Sequence, residues 1–370
     1  MNATTLKKYV LPGLIFQSVV IAGGYGTGRE LVEFFLTLGP LNGLLGMVLV
    51  SMVIWSAVCA VSFEFARTFR GFDYRSFFTK LLGRWWFLFE ICYILQLMLV
   101  LAVIAAAAGA ILQEVFGLPY ELGVIGMMAA VGFLVFRGSD TIEKFLTVWS
   151  VLLYAIYAIF FVWCFARFGD TIVSGFGQVP LNSRWILGGV QYAAYNLAVI
   201  PAVLFAIRHH ETRRESIGAG LLAGPLAIIP GLLFYLAMVG QYPAILDRPV
   251  PANFLLDVLG SRTFQIVFQA VLFGTLIETG TGLIHAINER LASVYEERAQ
   301  QMPPWLRPAV AIGLLVLGSL LARFGIIALI ARGYGTLTWA FLVVFVIPVL
   351  TLGVWKLKRG STTLSTQPSV

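Results

Sequence analysis

The first apolar segment of this chain is interrupted in its middle by Gly23-Gly24-Tyr25-Gly26-Thr27-Gly28-Arg29-Glu30. Apolar sequence runs up to that stretch from Tyr9 and resumes beyond it to Leu38. Four glycines stand within six residues, and each costs an α-helix roughly 1 kcal/mol relative to alanine. Inside a bilayer no water replaces the loosened backbone bonds, so unwound chain persists only where protein or a wet cavity covers it. The stretch therefore points to a buried site for a polar guest. A glycine-rich groove for helix packing is the plainer alternative. The charged residues Arg29, Glu30 and Glu33 just beyond the glycines do not suit it.

Composition narrows the class. The chain is 59% hydrophobic and 12% charged, which excludes an ordinary soluble domain. Cys59, Cys92 and Cys164 lie within apolar runs, so neither a disulfide scaffold nor a metal cluster is implied. The net charge of +7 collects at segment ends, as in a bacterial-type cytoplasmic (inner) membrane protein, and calls for no nucleic acid partner. Lys7 and Lys8 before an apolar run resemble the start of a signal peptide, but many more spans follow and an uncleaved first helix is expected.

Windows of about 20 apolar residues predict an all-α membrane protein of about ten transmembrane helices. They fall near 9–38, 41–66, 85–115, 120–136, 141–166, 185–207, 216–241, 263–287, 308–331 and 333–355. Lys7/Lys8, Arg67–Arg84, Arg137/Lys144, Arg208–Arg214, Arg290–Arg307 and Lys356–Arg359 fall on one side of such a bundle. The alternate connections, including those near Pro40 and Arg332, are poor in Lys and Arg, which predicts cytoplasmic N- and C-termini. Ala252–Leu259, in a proline-punctuated connection, reads as a short external helix over a vestibule. Residues 1–360 read as a single transmembrane domain, and 361–370 as a disordered cytoplasmic tail rich in Ser and Thr.

The sixth segment carries a second interruption, Gly188-Gly189-Val190-Gln191-Tyr192-Ala193-Ala194-Tyr195-Asn196, followed by Pro201. Proline removes a helical hydrogen bond and clashes with the preceding turn. One break opens segment one and the other opens segment six. Interruptions at matching places in two halves point to an inverted repeat with a central site. Residues 9–166 would form one five-helix unit and 185–355 the other.

A helix broken at membrane depth presents free N–H groups on one side of the break and free carbonyls on the other. The amides of Gly24, Tyr25, Gly26 and Thr27, in the stretch Gly23–Gly28, are candidates to hold a carboxylate. The carbonyls from Val20 to Gly23 can instead hold a cation. A zwitterion such as an amino acid suits both. Tyr25, Tyr192 and Tyr195 are candidate walls, Asn196 a candidate amine ligand, and Gln96 a candidate cavity residue. Thr275, Glu278 and Thr279 share one helix face at i, i+3 and i+4. Their oxygens suit Na⁺, and Glu278 can alternatively carry a coupled proton. Threonines also bond back to their own helix. Arg29 reads as an external gate or as the partner of Glu33, with Glu30 beside it. Glu64 and Glu90 are expected to pair with Arg67, Arg70 or Arg84.

Gly24–Phe35, Tyr192–Asn196 and Glu278-Thr279-Gly280-Thr281-Gly282 together resemble the LeuT-type fold of the amino acid–polyamine–organocation superfamily. More narrowly, they resemble the YkvI-type membrane proteins. The resemblance implies a five-plus-five inverted repeat with helices 1 and 6 discontinuous, a substrate site at the breaks, and alternating access. By resemblance, Gly24 and Gly26 match a carboxylate-binding turn, Thr275 and Thr279 part of a sodium site, and Arg29 an external-gate arginine. Segment ten has no Asp or Glu to pair with such an arginine. A mid-span lysine that replaces sodium in some proton-coupled relatives is absent from segment five, where Lys144 lies nearer one end.

The expected function is symport of a small zwitterionic solute, an amino acid or related amine, driven by Na⁺ or H⁺. No cofactor is expected beyond Na⁺ as a coupling ion, and the partners are the solute and the lipid bilayer. Sequence leaves the oligomeric state open. A ligand-binding membrane sensor is the alternative, an intramembrane enzyme a weaker one. His209-His210-Glu211 with Glu215 invites a metal reading but reads better as a solvated charged loop. No HExxH, membrane aspartate pair or Walker sequence occurs.

Overall fold

The computed structural model describes residues 6–21, 23–137, 139–297 and 300–364. The first segment is three short helices, α1 (Leu11–Val20), α2 (Gly23–Thr27) and α3 (Arg29–Phe34). Next come α4 (Pro40–Phe69), α5 (Tyr74–Leu82), α6 (Trp86–Phe116), α7 (Tyr120–Arg137) and α8 (Ser139–Gly175). The second half begins with α9 (Arg184–Asn196), continued by tight 3₁₀ turns at Leu197–Ala202 and Leu204–Ile207. It continues with α10 (Arg213–Val239), α11 (Pro251–Leu259), α12 (Arg262–Glu297), α13 (Leu306–Ala322) and α14 (Ile326–Arg359).

Six of the described helices have the length and apolar character to cross a membrane, while Tyr120–Phe136 and Leu306–Ala322 are shorter apolar helices. With the two interrupted segments, the chain is an all-α, multi-pass membrane protein. Each half places a short extra helix between its second and third long segments: α5 in the first half, α11 in the second.

Local chemistry sets these boundaries. Asp73 caps α5 by accepting the Ser76 N–H at 2.8 Å. Thr212 and Glu215 form a capping box that starts α10. Pro251 opens α11, and Gly260 at φ +75° stops it.

Two expectations fail here. Segment nine ends at Ala322 and segment ten starts at Ile326, so Arg332 and Gly333 lie inside a helix instead of in a connection. The cause is Gly325, whose φ of +77° supplies the turn that the charged Arg332 seemed to mark. The last helical stretch also runs on through Val354–Leu364, into the tail expected to be disordered; 365–370 lie outside the described residues.

Helices α4 and α10, one from each half, pack closely along their length, and α10 also packs on α1. Small residues permit this approach. A Cβ added at Gly220 would overlap Ala60 N and Cα, and one at Gly224 would overlap Ser56 and the Met52 carbonyl.

One end of the bundle is held by polar contacts. Lys8 pairs with Glu215 at 2.8 Å. Arg67 holds both oxygens of Glu64 and the Glu211 carbonyl. Glu90 pairs with Arg290 at 2.8 Å instead of with Arg67, Arg70 or Arg84, because α12 passes beside the start of α6. His210 is not solvated as expected. It is 4% exposed, with Nε2 donating to the Lys8 carbonyl at 2.9 Å and Nδ1 accepting from Ser216 Oγ at 3.3 Å.

Burial lowers the His210 pKa, outweighing the Lys8 carbonyl contact that raises it. The unfolded chain then binds the proton more readily than the folded one, so the histidine's contribution to stability is complete above about 6.5 and falls as pH drops below it. Melting temperature should fall between pH 7.5 and 5, and fall less in His210→Gln. Equal acid sensitivity in the two proteins would show that another group sets it.

Candidate functional site

The first interruption lies just before the glycines. Helix α1 ends at Val20, Ile21 leaves helical geometry at ψ 77°, and Ala22 lies outside the described residues. Gly23–Thr27 then form a short helix, and Gly28 at φ +82° makes a second dislocation before α3. The glycines are therefore coiled rather than unwound. Packing against α6 and α12 holds them so, and the Gly26 carbonyl accepts the Tyr157 hydroxyl at 2.7 Å. Tertiary packing overrides weak intrinsic helix preference. The second interruption is displaced as well: Gly188 and Gly189 sit inside a continuous α9, and the chain tightens only after Asn196. Pro201 lies in that 3₁₀ stretch.

A cavity of about 350 Å³ opens between these two breaks and the helices α6, α8, α12 and α14. Val20 and Ile21 line it from the first break, and Tyr195 and Asn196 from the second. Gln96 lines it from α6, and Thr275, Glu278 and Thr279 from α12. Glu30 reaches it from α3 and is 2% exposed, its carboxylate accepting the Tyr195 hydroxyl. Tyr334 stacks on Tyr195 with ring centroids 4.9 Å apart and closes the same wall. The described lining contains two carboxylates, Glu30 and Glu278, and no Lys, Arg or His.

Asn196 donates to the Tyr192 carbonyl at 3.0 Å, which leaves its amide oxygen for a guest. Gln96 Oε1 is buried without a protein partner. Thr275 donates to the Val271 carbonyl at 3.0 Å and Thr279 to the Thr275 carbonyl at 2.9 Å. Both hydroxyl oxygens keep lone pairs.

The structure separates other candidates from the cavity. Tyr25 packs against α10 beside Gly231, and Tyr192 against Trp55 and Phe35, so neither forms a cavity wall. Gly26, Thr27 and Gly28 are packed among neighbouring helices; Gly28 faces Phe234. Gly23 and Gly24 are described only as the first turn of α2, and the Lys144 side chain lies outside the described residues.

Glu30 does not share its surroundings with Arg29. Adjacent helix positions point in different directions, and Glu30 turns inward while Arg29 turns away. Arg29 donates to the carbonyls of Leu246 at 2.6 Å and Arg248 at 3.2 Å, and pairs with Glu33 at 2.8 Å. It thereby clamps the connection that leads into α11. Sequence reasoning missed Tyr334, which stands in Arg332-Gly333-Tyr334-Gly335, and the cavity residues Tyr93 and Tyr154. Each is a polar aromatic inside an apolar span, a usable signal once the span limits are right.

The Arg29 clamp is testable. Arg29→Met removes three polar contacts and should destabilise the closed connection by about 1–3 kcal/mol. Hydrogen exchange across 241–259 should then accelerate markedly; unchanged exchange would show that other contacts hold this connection shut.

No protein-family model matches the chain. It is similar to the uncharacterized membrane protein YkvI of Bacillus subtilis (strain 168), with 23% identity over 290 residues, covering 75% of this chain and 80% of the relative. Among solved structures it is similar to MhsT in complex with L-phenylalanine. There the TM-score is 0.57 and the identity 13%, covering 95% of this chain and 98% of the other. A manganese transporter of Eremococcus coleocola aligns at 15% identity and a TM-score of 0.47, over 99% of this chain and 89% of its own. The interrupted first and sixth segments, the repeated helix order and the alignment to MhsT lead to one conclusion: the chain has the LeuT-type fold.

Proposed function

We propose that the protein is a secondary transporter for a small solute bearing an ammonium group, an amino acid or a related amine, in a bacterial cytoplasmic membrane. The observation that carries this reading is the central cavity, whose described lining holds Glu30 and Glu278 and no basic side chain. Glu30 is a buried carboxylate, which costs several kcal/mol unless it is matched, and an ammonium group matches it. Tyr93, Tyr154, Tyr195 and Tyr334 add aromatic surface that favours a cation.

Access alternates on this reading. The lining runs from Glu30 to Ala286 on α12, toward the end where Arg290 pairs with Glu90. At the opposite end Arg29 clamps the connection into α11. The distribution of Lys and Arg makes the Arg290 end cytoplasmic, so this conformation faces inward. Thr275, Thr279 and Glu278 supply oxygens for a coupled Na⁺, with Glu278 as the proton carrier if H⁺ drives transport instead. Val20, from the first break, stands across the same cavity.

A thermal-shift screen of purified protein against amino acids, amines and neutral analogues, in Na⁺ or K⁺, tests the substrate class by mass action. Amine-bearing compounds should raise the melting temperature. Stabilisation by neutral or anionic analogues alone would overturn the reading. With a substrate in hand, Thr279→Val should raise the Na⁺ needed for half-maximal binding, and Glu278→Gln should flatten the pH dependence of uptake. The ion whose dependence stays unchanged in its variant is not the coupling ion.

A further inference from the structure

A second concavity, of about 500 Å³, lies on the outer surface between α4, α10 and the end of α14, apart from the central cavity. Its walls are apolar along most of their length, formed by Ala57, Val61, Ile217 and Leu357. Its far end is charged. Arg67 satisfies Glu64 there with two bonds of 2.8 and 2.7 Å, so that pair is neutral. Arg213 and Lys358 on the same rim make the end positive.

Past Arg67 the surface continues into a polar depression of about 420 Å³ lined by Arg70, Arg208, His209 and Glu211. Arg70 holds φ at +53°, at the position that ends α4. That left-handed conformation costs a residue other than glycine roughly 1–2 kcal/mol, and glycine commonly fills it. Gly71 follows immediately, so the chain places a cation where its neighbour would fit without strain. Non-glycine residues held this way often mark functional sites.

An apolar channel on the lipid-facing surface that ends in a cluster of arginine and lysine fits a molecule with a hydrocarbon chain and an anionic phosphate head. We propose that this groove is a binding site for an anionic phospholipid. One acyl chain lies along Ala57, Val61, Ile217 and Leu357, the phosphate meets Arg213 and Lys358, and the rest of the headgroup extends toward Arg70 and Arg208. Basic pockets at helix boundaries bind anionic headgroups through this same pairing of charges, while the acyl chain, already in an apolar medium, contributes packing against the groove rather than a hydrophobic gain. The site is independent of the transport reading, since no residue of the central cavity takes part.

The test uses the full-length protein in an uncharged detergent, with phosphatidylglycerol, phosphatidylcholine or inorganic phosphate added. Thermal unfolding and native mass spectrometry read out binding. Phosphatidylglycerol should raise the melting temperature and remain bound in the gas phase, while phosphatidylcholine should do neither. The double variant Arg213→Gln/Lys358→Gln should weaken phosphatidylglycerol binding by about tenfold or more, at about 1 kcal/mol per cation. Ala57→Trp, which fills the groove, should weaken the lipid but leave any phosphate effect intact. Both variants are compared with wild type in their lipid-free melting temperature, so misfolding is seen directly. Equal effects of the two lipids would overturn the proposal, as would a double variant that keeps the preference. Free phosphate acting as strongly as phosphatidylglycerol would also overturn it, since the site would then serve a soluble anion.

Discussion

Glu30→Gln should lower substrate uptake by about 100-fold or more while leaving the protein folded. The side chain keeps its length and shape, so the loss reports charge. An ammonium group facing a buried carboxylate loses a charge-assisted contact worth about 3 kcal/mol or more when that carboxylate becomes an amide. Tyr195→Phe removes only the hydroxyl that orients the carboxylate, and a cost of about 1–2 kcal/mol gives a milder loss of about tenfold. Uptake in proteoliposomes measures both. A Glu30→Gln protein that transports at the wild-type rate would remove the carboxylate from recognition and leave the cavity without its principal charge.

The second large effect concerns stability. Gly220→Ala should cost about 3 kcal/mol, the upper end for overpacking, because backbone rather than a movable side chain stands in the way. The added methyl group would overlap Ala60 N and Cα on α4. The same substitution at Gly313, where nothing lies within 4 Å of a Cβ, should be tolerated or slightly stabilising. Melting temperature and monodispersity on size exclusion separate the two. Equal melting temperatures would mean that α4 and α10 can part without cost.

The apolar segments and the short helix α11 were legible because apolar length and proline or glycine punctuation are local properties. The break positions were only half legible. Glycine marks where a helix is weak, but the chain broke at Ile21, next to the cavity, while Tyr157 and the neighbouring helices held Gly23–Thr27 coiled. Asn196 was visible as an intramembrane amide, yet the tightened turns after it follow from Pro201 further along. Glu30 was conspicuous as a charge, but its place in the cavity wall was not legible. Its actual partner, Tyr195, is 165 residues away in sequence. Tyr334 was hidden by the misplaced turn between segments nine and ten, since a residue assigned to a helix end is not sought in its wall.

Arg29 and Glu30 are consecutive residues on one rigid six-residue helix, and they serve opposite clients. Successive side chains project about 100° apart around a helix axis, so any swivel of that helix moves both by the same angle. On the proposed transport reading, a solute that turned this helix by drawing the carboxylate toward itself would carry the guanidinium across the carbonyls of Leu246 and Arg248. Latch and lock share a single spindle.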